Sequence, residues 1–402
     1  SSALATRLEV TNRAIYAAAG VSFDVRSVDD LLVPGQTVVV QAQLWNGGGL
    51  TLIGPETELS LPVGWTSSLV EVRGVSAEGT IAPGDLAVFT YQVEVPVDAN
   101  VSRQYYLREP RNGARYVWPD ESELWGLPRN PELVKGTATF SLALTGDSSE
   151  SLLPDYDHNE ISSDWRYVGV DPAFGEFEKP VLVVPAVSVS VTPSGLTWPQ
   201  SDAGSQEVSV VIRSEAEEGS RGSVKISAPE GWAVSPMSQD FDLKESSSES
   251  SMSFQLRPEG AVVSGRHIFE VRAQTESGEV YDEGYALIDY EHIKRTALYS
   301  EASATVSVVP VEVRSGVRVG YIMGSGDSGP EAIRQMGAPV EMLDGTRVRD
   351  GDFDGLSTIV LGVRAYETRA DLQSASAQVL DFARSGGTVI VQYNRGTLGS
   401  LA

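Results

Sequence analysis

Cysteine is absent from the 402 residues, which excludes a disulfide framework, a thiolate zinc site and any cysteine nucleophile while leaving the compartment open. Histidine is scarce as well: His158, His267 and His292 lie far apart and none has a second histidine at ligand spacing, so no metal site is expected in this chain. Positive charge is in deficit, with 30 Lys and Arg against 55 Asp and Glu and a formal net charge of −25. Such a chain repels phosphate backbones and anionic lipid surfaces, and no nucleic-acid partner is expected. Long apolar runs are missing too. Val181 to Val189, broken by Pro185, falls far short of the roughly 20 residues that cross a bilayer, and Ser1 to Gly20 lacks the basic start of a signal peptide, so no membrane insertion is expected.

What is present, 41% hydrophobic and 21% charged residues, is a globular composition too long for one core, which points to several domains. Leu4, Leu8, Ile15 and Ala19 fall near one helical face before Gly20, so residues 1–20 read as a linker helix. Residues 21–186 change to short alternating runs punctuated by Gly, Pro, Asn and Asp, with strands expected at Val38 to Leu44, Leu86 to Val95, Ala138 to Leu144 and Val181 to Val184. Residues 187–311 repeat that grammar. Leu61-Pro-Val-Gly-Trp65 returns as Ala228-Pro-Glu-Gly-Trp232, about 167 residues later; Asn46 and Arg213 each precede their tryptophan by the same interval, and Phe89 and Phe254 follow at similar ones. Two tandem β-sandwiches of the immunoglobulin-like class are the simplest account.

From residue 312 to 402 the pattern turns to β-α-β-β-α-β. Strands are expected at Val317 to Met323, Val340 to Leu343, Thr358 to Val363 and Thr388 to Tyr393, with helices over Pro330 to Met336 and Leu372 to Ala383. That order specifies a partial parallel-sheet α/β domain of the Rossmann or flavodoxin-like kind. Gly324-Ser-Gly326-Asp327-Ser-Gly329 fits G-x-G-x-x-G between strand and helix, with Asp344 twenty residues on to hold a ribose hydroxyl, which is the form of a dinucleotide cradle. Pro330 removes a donor and Asp327 adds a negative charge there, so a plain strand-to-helix turn competes with the nucleotide reading. Asp350, Asp352 and Asp354 start like a calcium loop, but its twelfth position is the apolar Leu361. Tyr105, Tyr106, Trp118, Trp125 and Trp165 cluster in a loop-rich stretch, where they either stack on sugar rings or pack internally. No G-x-S-x-G, H-E-x-x-H or P-loop is present.

Val319-Gly-Tyr-Ile-Met-Gly-Ser-Gly-Asp327, Ile359-Val-Leu-Gly-Val-Arg-Ala-Tyr-Glu-Thr-Arg369 and Gly386-Gly-Thr-Val-Ile-Val-Gln-Tyr393 resemble the C-terminal region of large bacterial PIG-L (LmbE-like) deacetylases. Pro185 to Val189, Ile288 to Ile293, and Ala3 to Gly20 with Val33-Pro-Gly35 resemble the flanking segments, so the likeness covers nearly the whole chain. The resemblance implies a glutamine-amidotransferase-like α/β domain, here truncated, and a parent that is exported and uses zinc to hydrolyse N-acetyl groups of amino-sugar conjugates. The family's His-Pro-Asp-Asp motif is not found, and Gly362 to Arg369 lacks the cysteine of amidotransferases, so no catalytic residue, metal ligand or cofactor is assigned here. Zinc would belong to the parent's catalytic domain.

These readings describe a scaffold or substrate-presenting accessory region, whose partners are its own N-terminal catalytic domain and carbohydrate. The competing accounts are a stand-alone carbohydrate- or surface-binding sandwich protein and a nucleotide-binding enzyme. Any ligand contact in the α/β part is expected beyond the C-terminal strand ends, at Gly324, Gly326, Asp327, Arg364, Tyr366 and Arg369, with Asn394 and Arg395 nearby.

Overall fold

The computed structural model describes residues 2–144 and 160–395; His158 and the side chains of Leu4 and Leu8 lie outside the described residues. Helix α1 (Ser2–Ala18) lies against the strands Val21–Ser27 and Glu160–Asp171, and Tyr16 enters the first core. Tyr16 is buried and meets Phe140 edge-on at 5.2 Å, whereas Ile15, expected on the buried face, is 48% exposed.

The first unit contains β1 (Val21–Ser27), β2 (Leu31–Leu32), β3 (Thr37–Asn46), β4 (Leu50–Ser60), β5 (Thr66–Arg73), β6 (Thr80–Ile81), β7 (Leu86–Glu94), β8 (Lys135–Leu144), β9 (Glu160–Asp171), β10 (Gly175–Pro180) and β11 (Leu182–Val183). The second contains β12 (Val187–Thr192), β13 (Gly195–Pro199), β14 (Gln206–Ser214), β15 (Ser220–Ser227), β16 (Trp232–Ser235), β17 (Gln239–Leu243), β18 (Glu249–Pro258), β19 (Gly265–Thr275), β20 (Val280–Tyr281), β21 (Glu283–Ile288), β22 (Thr296–Glu301) and β23 (Ser303–Val309). One topology occurs twice. The path β5-β7-β3-β1 in the first unit is matched by β16-β18-β14-β12 in the second, and β9-β8-β4-β6 by β23-β19-β15-β17. Alternating side chains on β3 and β14 turn every second residue into the respective cores, as a half-buried sheet requires. In the first unit β1 alone pairs with both β3 and β9; in the second those two roles are divided between β12 and β13.

Register refines the repeat read from the sequence. Asn46 stands opposite Val21 and Ser214 opposite Val187, so Ser214, not Arg213, is the counterpart of Asn46. Phe254 lies opposite Val208, the place Tyr91 takes opposite Val40, and the counterpart of Phe89 is Met252. The two copies differ in length on both sides of the tryptophan: Asn46 precedes Trp65 by 19 residues and Ser214 precedes Trp232 by 18, and β5 runs 8 residues where β16 runs 4.

The units are locked by the β21–β22 hairpin, which lies against the parallel pair β2 and β11. Val33, Leu182, Val184, Ala297 and Tyr299 are buried together there, and the Tyr299 hydroxyl donates to the Val183 carbonyl at 3.0 Å. Arg103 pairs with Glu283 and its guanidinium lies 4.7 Å from the Tyr299 ring centre. Arg295, with a side chain only 3% exposed, reaches across to Asp30 at 2.6 Å.

Four parallel strands form the last unit: β24 (Val319–Ile322), β25 (Val340–Met342), β26 (Thr358–Leu361) and β27 (Thr388–Val391), in the order β25-β24-β26-β27. Its helices are α2 (Gly329–Gln335), α3 (Gly345–Asp350), α4 (Ala365–Thr368), α5 (Ala370–Ser374) and α6 (Ser376–Arg384). Helix α3 corrects the expected order, in which the second and third strands followed one another directly. Asp344 caps it, accepting from the Thr346 and Arg347 amides, and Gly351 closes it in the left-handed region at φ 66°. The long last helix divides at Ala375 into α5 and α6. The unit touches the second sandwich where Gln335 accepts from the Thr197 amide at 2.8 Å.

The Arg295 contact yields a stability expectation. Arg295→Ala strands Asp30 without its partner and should cost about 2–3 kcal/mol, toward the low end for a broken buried pair because the Asp30 side chain keeps 27% exposure. Urea unfolding of the full chain measures it, and an unchanged midpoint would refute the assigned role.

Candidate functional site

The two sandwich copies differ most in one connection. The link from β18 to β19 is residues 259–264, whereas the equivalent link from β7 to β8 is residues 95–134. Five rings run through this insertion in a chain of contacts: Tyr116 to Tyr106 at 5.5 Å, Tyr106 to Tyr105 at 5.1 Å, Tyr105 to Trp118 at 5.7 Å and Trp118 to Trp125 at 6.4 Å. Tyr105, in the middle of the chain, is buried, while Tyr116, Trp118 and Trp125 are 44%, 49% and 55% exposed. Trp165 does not belong to it. That indole is a core side chain packed edge-on against Trp65 at 6.4 Å.

The insertion lacks regular structure yet its backbone is tied down. The Tyr105 hydroxyl donates to the Leu127 carbonyl at 2.9 Å, and Asn130 accepts from the Tyr105 amide while donating to the Arg103 carbonyl. Ser102 and Val183 exchange hydrogen bonds, which fasten the start of the insertion to β11. Trp125 donates its indole N–H to the Pro119 carbonyl at 2.7 Å, so the exposed ring is oriented rather than free. Trp125 therefore offers a flat apolar face with its polar edge already satisfied.

Beside the insertion lie two clefts. One, of about 760 Å³, runs from Trp65 past Ser102, Arg108 and Glu121 to Lys294. The other, of about 910 Å³, is walled by Phe177, Lys179, Tyr290 and His292. Both fall in the size range of ligand sites, and Arg129, Glu132, Pro180 and Arg295 border both. His292 thus stands at the meeting of the two sandwiches.

The loops at the C-terminal ends of the parallel sheet do converge. Gly324 lies so close to the next loop that a Cβ there would overlap the Val363 carbonyl oxygen, and the Ser325 amide donates to that oxygen at 2.9 Å. Gly326 takes φ 95°, which favours glycine. The anion position of this cradle is filled by the chain itself: Asp327 accepts from the Gly329 amide at 2.8 Å, the Val363 amide at 3.1 Å and the Tyr321 hydroxyl at 2.5 Å. Burial alone would push the Asp327 carboxyl up, but those three donors outweigh it and hold the group below its ordinary range. Tyr321 is pushed above its ordinary value, first by burial and then by the neighbouring carboxylate.

The remaining expected contacts are also internally satisfied. Arg364 sits at φ 59° at the strand-to-helix turn and pairs with Glu367 at 2.8 Å; Arg369 pairs with Asp371; Tyr366 is buried with its amide donating to Asn394. The Arg395 amide donates to Glu367 at 2.7 Å. Asp344, which the dinucleotide reading assigns to a ribose, spends its carboxylate on the α3 cap. Among the described residues no group of three or more His, Asp or Glu side chains could hold a metal ion, and no helix is long and apolar enough to cross a membrane.

Residues 32–108 match the NPCBM-associated NEW3 domain family of alpha-galactosidase, a stretch from β2 into the start of the insertion and about a fifth of the chain. No curated protein matches. Solved structures with some likeness include WR4, an MSP family member of C. elegans, at 14% identity and TM-score 0.18, covering 30% of this chain and 97% of that one. The secreted serine protease VesC from Vibrio cholerae aligns at 9% identity and TM-score 0.20, over 62% of this chain and 49% of its own. The E. coli chaperone DraB aligns at 11% identity and TM-score 0.19, over 32% and 58%. The chain thus spans about half the length of the last two.

Asp327 gives a pH-dependent expectation. A carboxyl held below its unfolded value contributes stability that is present above the unfolded range near pH ~4 and is lost as pH falls through the folded value. Asp327→Asn should therefore destabilise the α/β unit at pH 7 by about 1–2 kcal/mol, discounted for partial exposure, and the gap to wild type should close on acidification toward pH ~3. Urea unfolding at both pH values measures this; a gap that persists in acid would contradict the carboxylate's role.

Proposed function

We propose that this chain is a non-catalytic, carbohydrate-associated accessory region, and that its parent is an exported PIG-L-type de-N-acetylase acting on amino-sugar conjugates. The observation that carries the carbohydrate part is the run of half-exposed rings at Tyr116, Trp118 and Trp125, the last oriented by its indole hydrogen bond, set on a pinned insertion beside a cleft. Such faces suit the apolar side of a pyranose ring, whose C–H groups stack while its hydroxyls turn to polar neighbours. The insertion begins inside the stretch that matches a domain family named for alpha-galactosidase, which supports the same reading.

Within this proposal the sandwiches are immunoglobulin-like modules, supported by the strand path that both copies share. The last unit is a flavodoxin-like half-domain, supported by its 2-1-3-4 parallel order. Its loops act as scaffold, because Asp327 is held by two backbone amides and the Tyr321 hydroxyl while Arg364 and Arg369 pair with Glu367 and Asp371. The resemblance in Val319 to Asp327 and Ile359 to Arg369 supports the deacetylase parent, whose catalytic domain would supply zinc and the water-activating base. The sandwiches would then hold a glycan near that domain.

Chitohexaose tests the aromatic surface. The chain should bind it, and Trp118→Ala with Trp125→Ala should weaken binding about ten-fold or more while leaving the unfolding midpoint close to wild type, since both rings are about half exposed. Calorimetric titration decides; undiminished binding by the double variant would reject the surface.

A further inference from the structure

We infer that the sugar held beside the aromatic insertion carries a carboxylate, and that Arg129 binds it; this rests on the carbohydrate reading above. Cations are the minority charge in a chain of −25, and those bordering the two clefts are nearly all committed. Arg103 pairs with Glu283, Arg108 with Glu121, Lys294 with Glu132 and Arg295 with Asp30. Arg166 and Lys179 pair with Glu178 and Asp289. Arg129 is the exception among the described residues lining these clefts: its side chain makes no ion pair or hydrogen bond, and it borders both.

Its base is fixed while its head is free. On one side the Leu127 carbonyl is held by the Tyr105 hydroxyl; on the other, Asn130 is held through its amide by Gln104 and through its side chain by the Tyr105 amide and the Arg103 carbonyl. Four residues before it stands Trp125, and Glu121, between the two exposed tryptophans in sequence, lines the cleft that Arg129 borders. A guanidinium presents paired N–H groups that match a carboxylate in a bidentate contact, a geometry a diffuse cation does not supply. Asp98 on one cleft and Glu291 on the other also lack ion pairs, yet neither lies within pairing distance of Arg129. The overall negative charge disfavours a long polyanion, so selectivity must come from this one short-range contact combined with ring stacking.

The test uses three short probes on the full chain: a hyaluronan hexasaccharide, which alternates N-acetylated amino sugar with a carboxylated sugar, the same oligosaccharide with its carboxylates methyl-esterified, and chitohexaose. The expected result is binding of the acid about ten-fold tighter than the ester, abolished by Arg129→Gln and partly kept by Arg129→Lys. Equal binding of acid and ester, or a preference that survives Arg129→Gln, overturns the inference while tryptophan-dependent chitohexaose binding leaves the aromatic surface standing. Failure of all three probes to bind removes the carbohydrate reading and this inference together.

Discussion

The contact between Tyr299 and Val183 is the hinge of the arrangement. A phenol buried among Val33, Leu182, Val184 and Ala297 must find an acceptor, and the one it finds belongs to the other sandwich. Burial pushes that hydroxyl well above its ordinary pKa, so it stays a neutral donor. Because β11 is bound on one edge by β2 and also exchanges hydrogen bonds with Ser102, the same few residues position the second sandwich and the root of the aromatic insertion. The clefts are a geometric consequence of that junction: their walls come from the insertion, from β10 and from the tip of the β21–β22 hairpin.

The two units share a strand path and core and differ in their connections. Both copies keep the strand path and the buried tryptophans Trp65 and Trp232, which pack edge-on against Trp165 and Trp198. A connecting loop can grow at little thermodynamic cost, since closure entropy rises only slowly with length. The first unit carries its long connection at residues 95–134, and the second carries the docking hairpin β21–β22. Each elaboration lies on the side of the fold where the other meets it.

The sequence made legible those strands that bury one face. β3 and β7 alternate clearly and stand close to where alternation places them, and β14, β18 and β19 alternate in the same way. Strand β5 could not be read this way, since all eight of its residues are exposed and no apolar period exists. β4 is interrupted by Gly54-Pro55 and carries a register shift there, which disguises it as a turn. α3 was hidden because six residues are too few to show a period, though Asp344 ahead of Gly345 is a cap signal that could have revealed it. Among site residues, aromatic density pointed to Trp118 and Trp125 but drew in Trp165, whose burial only tertiary packing reveals. Arg129 gave no signal at all. Being unpaired is a property of what surrounds a side chain in space, and no local pattern encodes it. The glycine loop shows the converse: its motif was visible, and so was the Asp327 charge that occupies it.

The central claim is that ligand recognition resides on the insertion and junction, with the parallel sheet as support. Hydrogen–deuterium exchange of the full chain, with and without saturating chitohexaose, tests this most directly. The account predicts slowed exchange within residues 102–130 and 289–295 and no change around Gly324 to Asp327 or Arg364 to Arg369. Protection confined to those α/β loops, with the insertion unaffected, would contradict it.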